Sequence, residues 1–356
     1  MADALTEPNL GAVSAPTRLA YLDVLRWVAT AAVVLLHVVA GVWHTFPEKL
    51  DSGQLSVFMA VHWALLFCVP SFVMITGALF LNPQKRFTPR TLAFKYVRRI
   101  VLALCLFGYP MAVVEALAGH GAIRGWADAA AVAGQGLLNF LAGHSWSHMW
   151  YLYMLVGLYL CLPVFKFFVA AAPKGFVYLT VGALFVFTSL FPLVESLFGV
   201  AIGFPLPIGS VYVLYLLLGY LIRFDDSPIW RRAGLWAAVG AASLAGLVAL
   251  GCFQVGVDYD HPLVVACAVA LFVWLARPGV DYGRAGVLAA KTQYLCLGVY
   301  IVHPVFLNFA YKKLDIFPMD LPLPVGIAAF FIGAFVCAVL ASWLLNLIPP
   351  LRKYVL

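Results

Sequence analysis

Charge is scarce in this 356-residue chain. Asp, Glu, Lys and Arg together make up 10% of it, against about 25% in an ordinary soluble domain. So little charge cannot cover a surface that faces water. A cytosolic enzyme, a disordered scaffold and a nucleic-acid-binding module are therefore excluded, and most of the surface must face lipid. Paired cysteines are also lacking. The seven cysteines (Cys68, Cys105, Cys161, Cys252, Cys267, Cys296 and Cys337) all sit in apolar stretches, and none forms a CxxC pair. They read as small apolar residues, not as disulfides or metal ligands. No glycine-rich phosphate loop, no Gly-x-Ser-x-Gly elbow and no paired-carboxylate motif occurs, so those chemistries lose their usual sequence support. No internal repeat marks an inverted-repeat transporter, and no low-complexity linker splits the chain.

Apolar residues are abundant instead, at 64% of the chain with a mean hydropathy of +0.99. A membrane span takes about 20 mostly apolar residues. Ten stretches qualify: Leu22–Val42, Val57–Phe80, Ile100–Ala118, Met149–Phe168, Phe176–Val194, Ile208–Ile222, Leu235–Phe253, Leu263–Ala276, Tyr294–Phe309 and Val325–Ile348. The sixth, eighth and ninth are the shortest. Ala129–Leu141 is too short and glycine-rich to span, and is expected to lie at the interface or to re-enter. Placing the N-terminus in the cytoplasm puts 18 of the 22 basic residues on that side and leaves only Lys49, Arg124, Lys312 and Lys313 outside. Such a partition follows the positive-inside rule and puts both termini in the cytoplasm. The expected fold is all-α and polytopic. Residues 1–20 form a polar cytoplasmic leader, 21–348 one membrane domain and 349–356 a short cytoplasmic tail. The first span carries Asp23, Arg26 and His37, which separates it from a cleavable signal peptide.

Ionisable residues inside a span cost several kcal/mol and point to function. Arg26 and His37 are 11 residues apart, close to three turns, so they share one helix face about 16 Å apart along the axis. Asp23, Thr30, Gly41 and His44 fall on or beside the same stripe. That stripe must face a cavity or a partner helix. Alone, Arg26 would read as a snorkelling anchor and His37 as a backbone-bonded core histidine. Sharing a face favours function for the pair. Lys85–Arg99 holds six basic residues and no acid. Lys85, Arg86 and Arg90 fit plain positive-inside bias, while Lys95, Arg98 and Arg99 within one turn have the spacing to grip phosphates. His303 lies in the ninth span before Pro304, which frees a backbone carbonyl. The outer segments hold His44, His62, His120, His144, His148 and His261 with Glu115, Glu195, Asp258 and Asp260. His148, Trp150 and Tyr151 open the fourth span, where aromatics serve as belt residues or stack on sugar faces. Only His144 and His148 have helical metal-ligand spacing, which is weak support for a metal.

Several of these pieces form a known pattern. Tyr21-Leu22-Asp23-Val24-Leu25-Arg26 followed by His37 resembles the opening of membrane acyltransferase family 3. Val69-Pro70-Ser71 through Gly77, His148-Met149-Trp150-Tyr151-Leu152-Tyr153, Leu218-Gly219-Tyr220 and Gly298-Val299-Tyr300-Ile301-Val302-His303-Pro304 resemble later family spans in the same order. One departure stands out. The family often has Arg-x-x-Arg where this chain reads Lys95-Tyr96-Val97-Arg98, and lysine keeps the charge but loses the bidentate fork.

The resemblance implies transfer of an acyl group, most often acetyl, from cytosolic acyl-CoA to a hydroxyl of a cell-surface glycan or lipid-linked sugar. The setting implied is a bacterial inner membrane. On that basis acetyl-CoA is the donor, no metal takes part, and Arg26, Lys95, Arg98, Arg99 and Asp23 form the donor site. His37 is the general base, since a histidine near its reference pKa suits that task. His303 or a nearby donor stabilises the oxyanion, and His148, Trp150, Tyr151 and Tyr300 contact the acceptor. Two rival readings are a glycan or lipid exporter without chemistry, and acyl transfer to a lipid or peptide.

Overall fold

The computed structural model describes residues 19–85, 87–204 and 209–356. The leader residues 1–18, Arg86 and Ile208 lie outside the described residues. Ten apolar helices match the ten expected spans. Eight are long: α1 (Ala20–Thr45), α2 (Ser52–Phe80), α3 (Pro89–His120), α5 (Ser147–Ala171), α6 (Lys174–Phe198), α8 (Ala233–Cys252), α10 (Gly283–Leu314) and α11 (Leu323–Asn346). Two are shorter, α7 (Val211–Phe224) and α9 (Pro262–Ala276), and these are the expected sixth and eighth spans. The ninth, expected to be short, is instead the longer α10. Its first turns, Gly283–Thr292, are too polar to read as a span but continue through a 3-10 turn, Gln293–Leu295, into Cys296–Phe309. Two further helices are α4 (Trp126–Leu141) and α12 (Pro349–Tyr354), and shorter turns lie in the connections. No strand occurs among the described residues.

Position in the bundle follows polarity. The most hydrophobic windows of α1, α2 and α10 are 56%, 72% and 61% buried, whereas those of α5, α6, α8 and α11 are 17 to 22% buried. The first three carry Arg26, His37, His62 and His303, ionisable side chains that lipid does not tolerate. Helix α1 packs against α2, α9, α10 and α11 and so forms the centre. Helix α2 breaks at Leu66–Phe67 because Pro70 has no N–H to give Leu66. The Ser71 hydroxyl donates to the Phe67 carbonyl there, at 2.8 Å. The inner half of α2 then crosses α7 so closely that each helix meets the other with a glycine. A Cβ on Gly77 would lie 1.9 Å from the Leu216 carbonyl oxygen, and one on Gly219 2.0 Å from that of Met74.

Helix α4 doubles back along α3. Gly136 lets the helices touch, since a Cβ there would come within 2.8 Å of the Val113 backbone. Past its end, Ser145 Oγ donates to the Gly108 carbonyl at 3.0 Å and Tyr153 Oη to the Phe140 carbonyl at 2.7 Å. Gly108 stands 12 residues before the end of α3, about 18 Å down its axis. Helix α5 therefore begins well inside the bundle, and its first residues reach the centre.

Lys85 just past α2, Lys95 of α3, Lys166 of α5 and Arg223 of α7 come together at one end of the bundle. Two of these cations cap α2. Lys166 Nζ donates to the Phe80 and Asn82 carbonyls at 3.3 and 2.6 Å, and Arg223 Nη1 to that of Ala78 at 2.6 Å. Carbonyls at a helix C-terminus lack intrahelical partners and carry partial negative charge, so they favour cations. Arg223→Met is expected to cost about 1–2 kcal/mol, read as a lower melting temperature in detergent. An unchanged melting temperature would show that water satisfies the carbonyl equally well.

Candidate active site

The stripe expected on α1 is present. Arg26 stands at the basic end, where Nη1 bonds Asp23 Oδ1 at 3.1 Å and Gln293 Oε1 at 2.5 Å. Gln293 lies in the 3-10 turn of α10, and that change of pitch aims it across at α1. Thr30 is buried one turn on, with its hydroxyl on the Arg26 carbonyl at 2.8 Å. His37 follows, then Gly41 and His44.

Two cavities open onto this stripe. The inner one, about 330 Å³, is lined by Arg26, Arg99, Gln293, Tyr96, Tyr159 and Thr76 among others. The outer one, about 560 Å³, is lined by His37, His44, His62, His148, Trp150 and Asp258 among others. Tyr151 and Tyr300 line both. Their rings stand edge to face with centroids 5.6 Å apart, and they form the wall between the cavities.

Three histidines from three helices meet beside that wall. The His37 ring centroid is 4.9 Å from that of His303 and 6.1 Å from that of His148, and His148 and His303 are 5.6 Å apart. Each ring bonds a backbone carbonyl: His37 Nδ1 to Val33 at 2.8 Å, His303 Nδ1 to Val299 at 3.1 Å and His148 Nε2 to Ile301 at 3.2 Å. A carbonyl only accepts, so those nitrogens carry the hydrogens. In the neutral rings the lone pairs are then on Nε2 of His37, Nε2 of His303 and Nδ1 of His148. His303 is fully buried and its Nε2 has no partner. Such an orphan acceptor is rare in a buried site and calls for an explanation. Tyr300 Oη donates to the His148 carbonyl and fixes the head of α5 against α10.

The expected site residues separate into groups. His37, His148 and His303 converge, and Trp150, Tyr151 and Tyr300 stand around them. Asp23 holds Arg26. Of the basic trio only Arg99 lines the inner cavity. Arg98 faces the C-terminal segment, with its guanidinium 5.0 Å from the Tyr354 ring centroid. Lys95 is exposed, with Nζ 5.6 Å from the Tyr96 ring centroid. Lys85, which read as simple positive-inside bias, sits closer in. Its Nζ lies 3.9 Å from the Phe80 ring centroid and 5.4 Å from that of Tyr96, two rings of the inner cavity. Burial, then the charges of Lys95, Lys166 and Arg223, push the Lys85 ammonium below its ordinary pKa. An anion arriving there would relieve that repulsion. Gln293 gave no signal in the sequence, since an uncharged polar residue at a span end has many ordinary uses, and Tyr96 stood inside a family motif with no role assigned to it.

Further out, Trp43 Nε1 donates to His62 Nδ1 at 3.1 Å, and the Trp43 ring stacks on His44 at 3.6 Å. Among the described residues no group of three or more His, Cys, Asp or Glu side chains is placed to hold a metal ion.

Neither a curated protein nor a solved structure matches the chain. A family model does, the acyltransferase domain of family 3, over residues 19–346. That match runs from the start of α1 to the end of α11 and takes in Arg26, the three histidines and both cavities, so the chain belongs to acyltransferase family 3 and is a multi-pass membrane acyltransferase.

Proposed function

We propose that the protein moves an acyl group, acetyl by preference, from cytosolic acyl-CoA to a hydroxyl of a glycan or lipid-linked sugar on the far side of a bacterial inner membrane. The observation that carries this reading is the pair of cavities entering from opposite ends and sharing Tyr151 and Tyr300 as their wall. One substrate enters at each end, and the reacting groups meet where the walls meet. The cation-rich end suits the donor, because coenzyme A carries phosphates. Arg26 and Arg99 line that cavity, Lys85 lies over two rings of its wall, and Asp23 and Gln293 hold Arg26 in place. The outer cavity, with Trp150, His62 and Asp258, suits a hydroxyl-bearing acceptor, whose sugar face an aromatic ring can cover.

Chemistry follows from the tautomers. His37 Nε2 takes the proton from the acceptor hydroxyl as the oxygen attacks the thioester carbonyl. The carbon–sulfur bond breaks, an ester forms, and the proton returns to the coenzyme A thiolate, so a free thiol leaves. His303 Nε2 offers its lone pair to the imidazolium that His37 becomes. In this tautomer His303 accepts, and it donates to an oxyanion only when it carries a second hydrogen.

The test is a titration of the detergent-purified protein with acetyl-CoA, following melting temperature and release of free thiol. Acetyl-CoA at 100 times its dissociation constant stabilises the binding state by about 2.7 kcal/mol. The wild type is expected to show a rise in melting temperature, and Arg26→Ala to lose most of it. A wild type that acyl-CoAs neither stabilise nor deplete of thioester would remove the donor, and an exporter would then be the better reading.

A further inference from the structure

The expected cytoplasmic tail is not loose. After α11, Pro349–Tyr354 form a short helix, and the next two residues turn back into the protein. Val355 and Leu356 are each 2% exposed, and both their N–H groups bond the Leu351 carbonyl, at 2.9 and 2.8 Å. The Val355 carbonyl accepts from Arg99 Nε at 3.1 Å. Tyr354 takes the neighbouring Arg98 guanidinium on its ring. Two adjacent arginines of α3 are thus held by two adjacent residues of the C-terminal segment.

Helix α3 is poorly placed to hold them itself. The stretch Arg98–Ala103 lies between two π-helical turns, Leu92–Val97 and Leu104–Gly108. Each widens the helix by a residue and turns the side chains that follow, and such turns collect at functional sites. A guanidinium on this stretch needs an outside partner to fix its direction. Arg99 is also the one member of the basic trio that lines the inner cavity.

We propose that Tyr354 and Val355 brace the donor site, with the Val355 carbonyl setting the direction of Arg99 and Tyr354 drawing Arg98 away from the cavity. Tyr354 and Val355 are positioning residues and do not touch the donor. This proposal rests on the donor reading of the inner cavity.

The experiment measures binding of free coenzyme A to the detergent-purified full chain by calorimetry. A stop after Tyr354 removes the Val355 carbonyl, and Arg99→Lys keeps the charge but removes Nε. Each is expected to weaken coenzyme A by about tenfold, the scale of one hydrogen bond to a charged group. The double variant should be no weaker than either single, since both break the same link. Leu356→Ala removes buried packing but leaves the carbonyl, so it should lower the melting temperature and keep wild-type affinity. Wild-type affinity in the truncated protein, additive losses in the double, or a tenfold loss in Leu356→Ala would each overturn the brace. If the truncated protein does not fold, Arg99→Lys and Leu356→Ala decide alone, and equal affinities in the two reject the proposal. A wild type that does not bind coenzyme A overturns the donor reading and the brace together. A wild type that binds, with variants that bind equally well, overturns only the brace.

Discussion

His37→Ala is expected to abolish acyl transfer while leaving donor binding intact. Positioned general bases contribute about 10²–10⁴-fold to rate, and His37 brings the one imidazole of α1 that borders both the outer cavity and His303. Its hydrogen bond is to its own helix, at Val33, so alanine frees one carbonyl and leaves the neighbouring helices in contact. The decisive comparison is thiol release against acyl-CoA-induced stabilisation in the same preparation. Thiol release should fall to background in His37→Ala, while stabilisation by acetyl-CoA persists. Transfer near the wild-type rate would remove His37 as the base. His303→Ala is expected to slow transfer less, because it takes away support for the imidazolium and not the group that receives the proton.

The other large effect is structural. Gly219→Val and Gly77→Val are each expected to prevent assembly of the native bundle. A Cβ at either position would meet a backbone carbonyl at 2.0 or 1.9 Å, and no rotamer change can move a backbone atom away. The two helices must separate, and overpacking against backbone belongs to the class of substitutions that cost more than about 4 kcal/mol. Separating them also displaces Phe72, Ile75 and Thr76 from the inner cavity wall. Yield of monodisperse protein and melting temperature read this out. Gly157→Ala in α5 is the control, because a Cβ there meets nothing within 4 Å. Equal losses at Gly157 and Gly219 would show that helical glycine matters generally here and that the crossing has no special role.

These glycines show which parts of the fold were legible. Gly77 ended one motif of the family resemblance and Gly219 stood in the middle of another, and nothing in the sequence joined them. In space they are the two sides of one contact. Hydropathy marked all ten spans, because each is a local run of apolar residues. The Arg26–His37 stripe was legible for the same reason, since both residues sit on one helix and 3.6-residue periodicity places them. The meeting of His37 with His148 and His303 was not, as it depends on how three helices pack. His148 was the hardest to place. It heads a span, yet it reaches the centre because α4 folds back along α3 before α5 begins. The basic trio failed to stay together for an equally local reason. Helical spacing puts Lys95, Arg98 and Arg99 on one face, but the π-helical turn at Leu92–Val97 ends just before Arg98 and alters that spacing.

The tyrosine wall has a consequence for the energised membrane. Two water-accessible cavities that joined would let protons run down the membrane potential, and each elementary charge is worth about 2.3 kcal/mol per 100 mV. Tyr151 and Tyr300 close the passage with two rings, and Tyr300 commits its hydroxyl to a backbone carbonyl. The three imidazoles behind them have each committed their one hydrogen in the same way. While all three are neutral, none has a hydrogen free to pass to the next, so a relay through them starts only when one ring takes a second proton. In the proposed two-sided reaction, a carbonyl from one side would reach a hydroxyl from the other while the two rings and the resting imidazoles keep the barrier between the cavities electrically insulating.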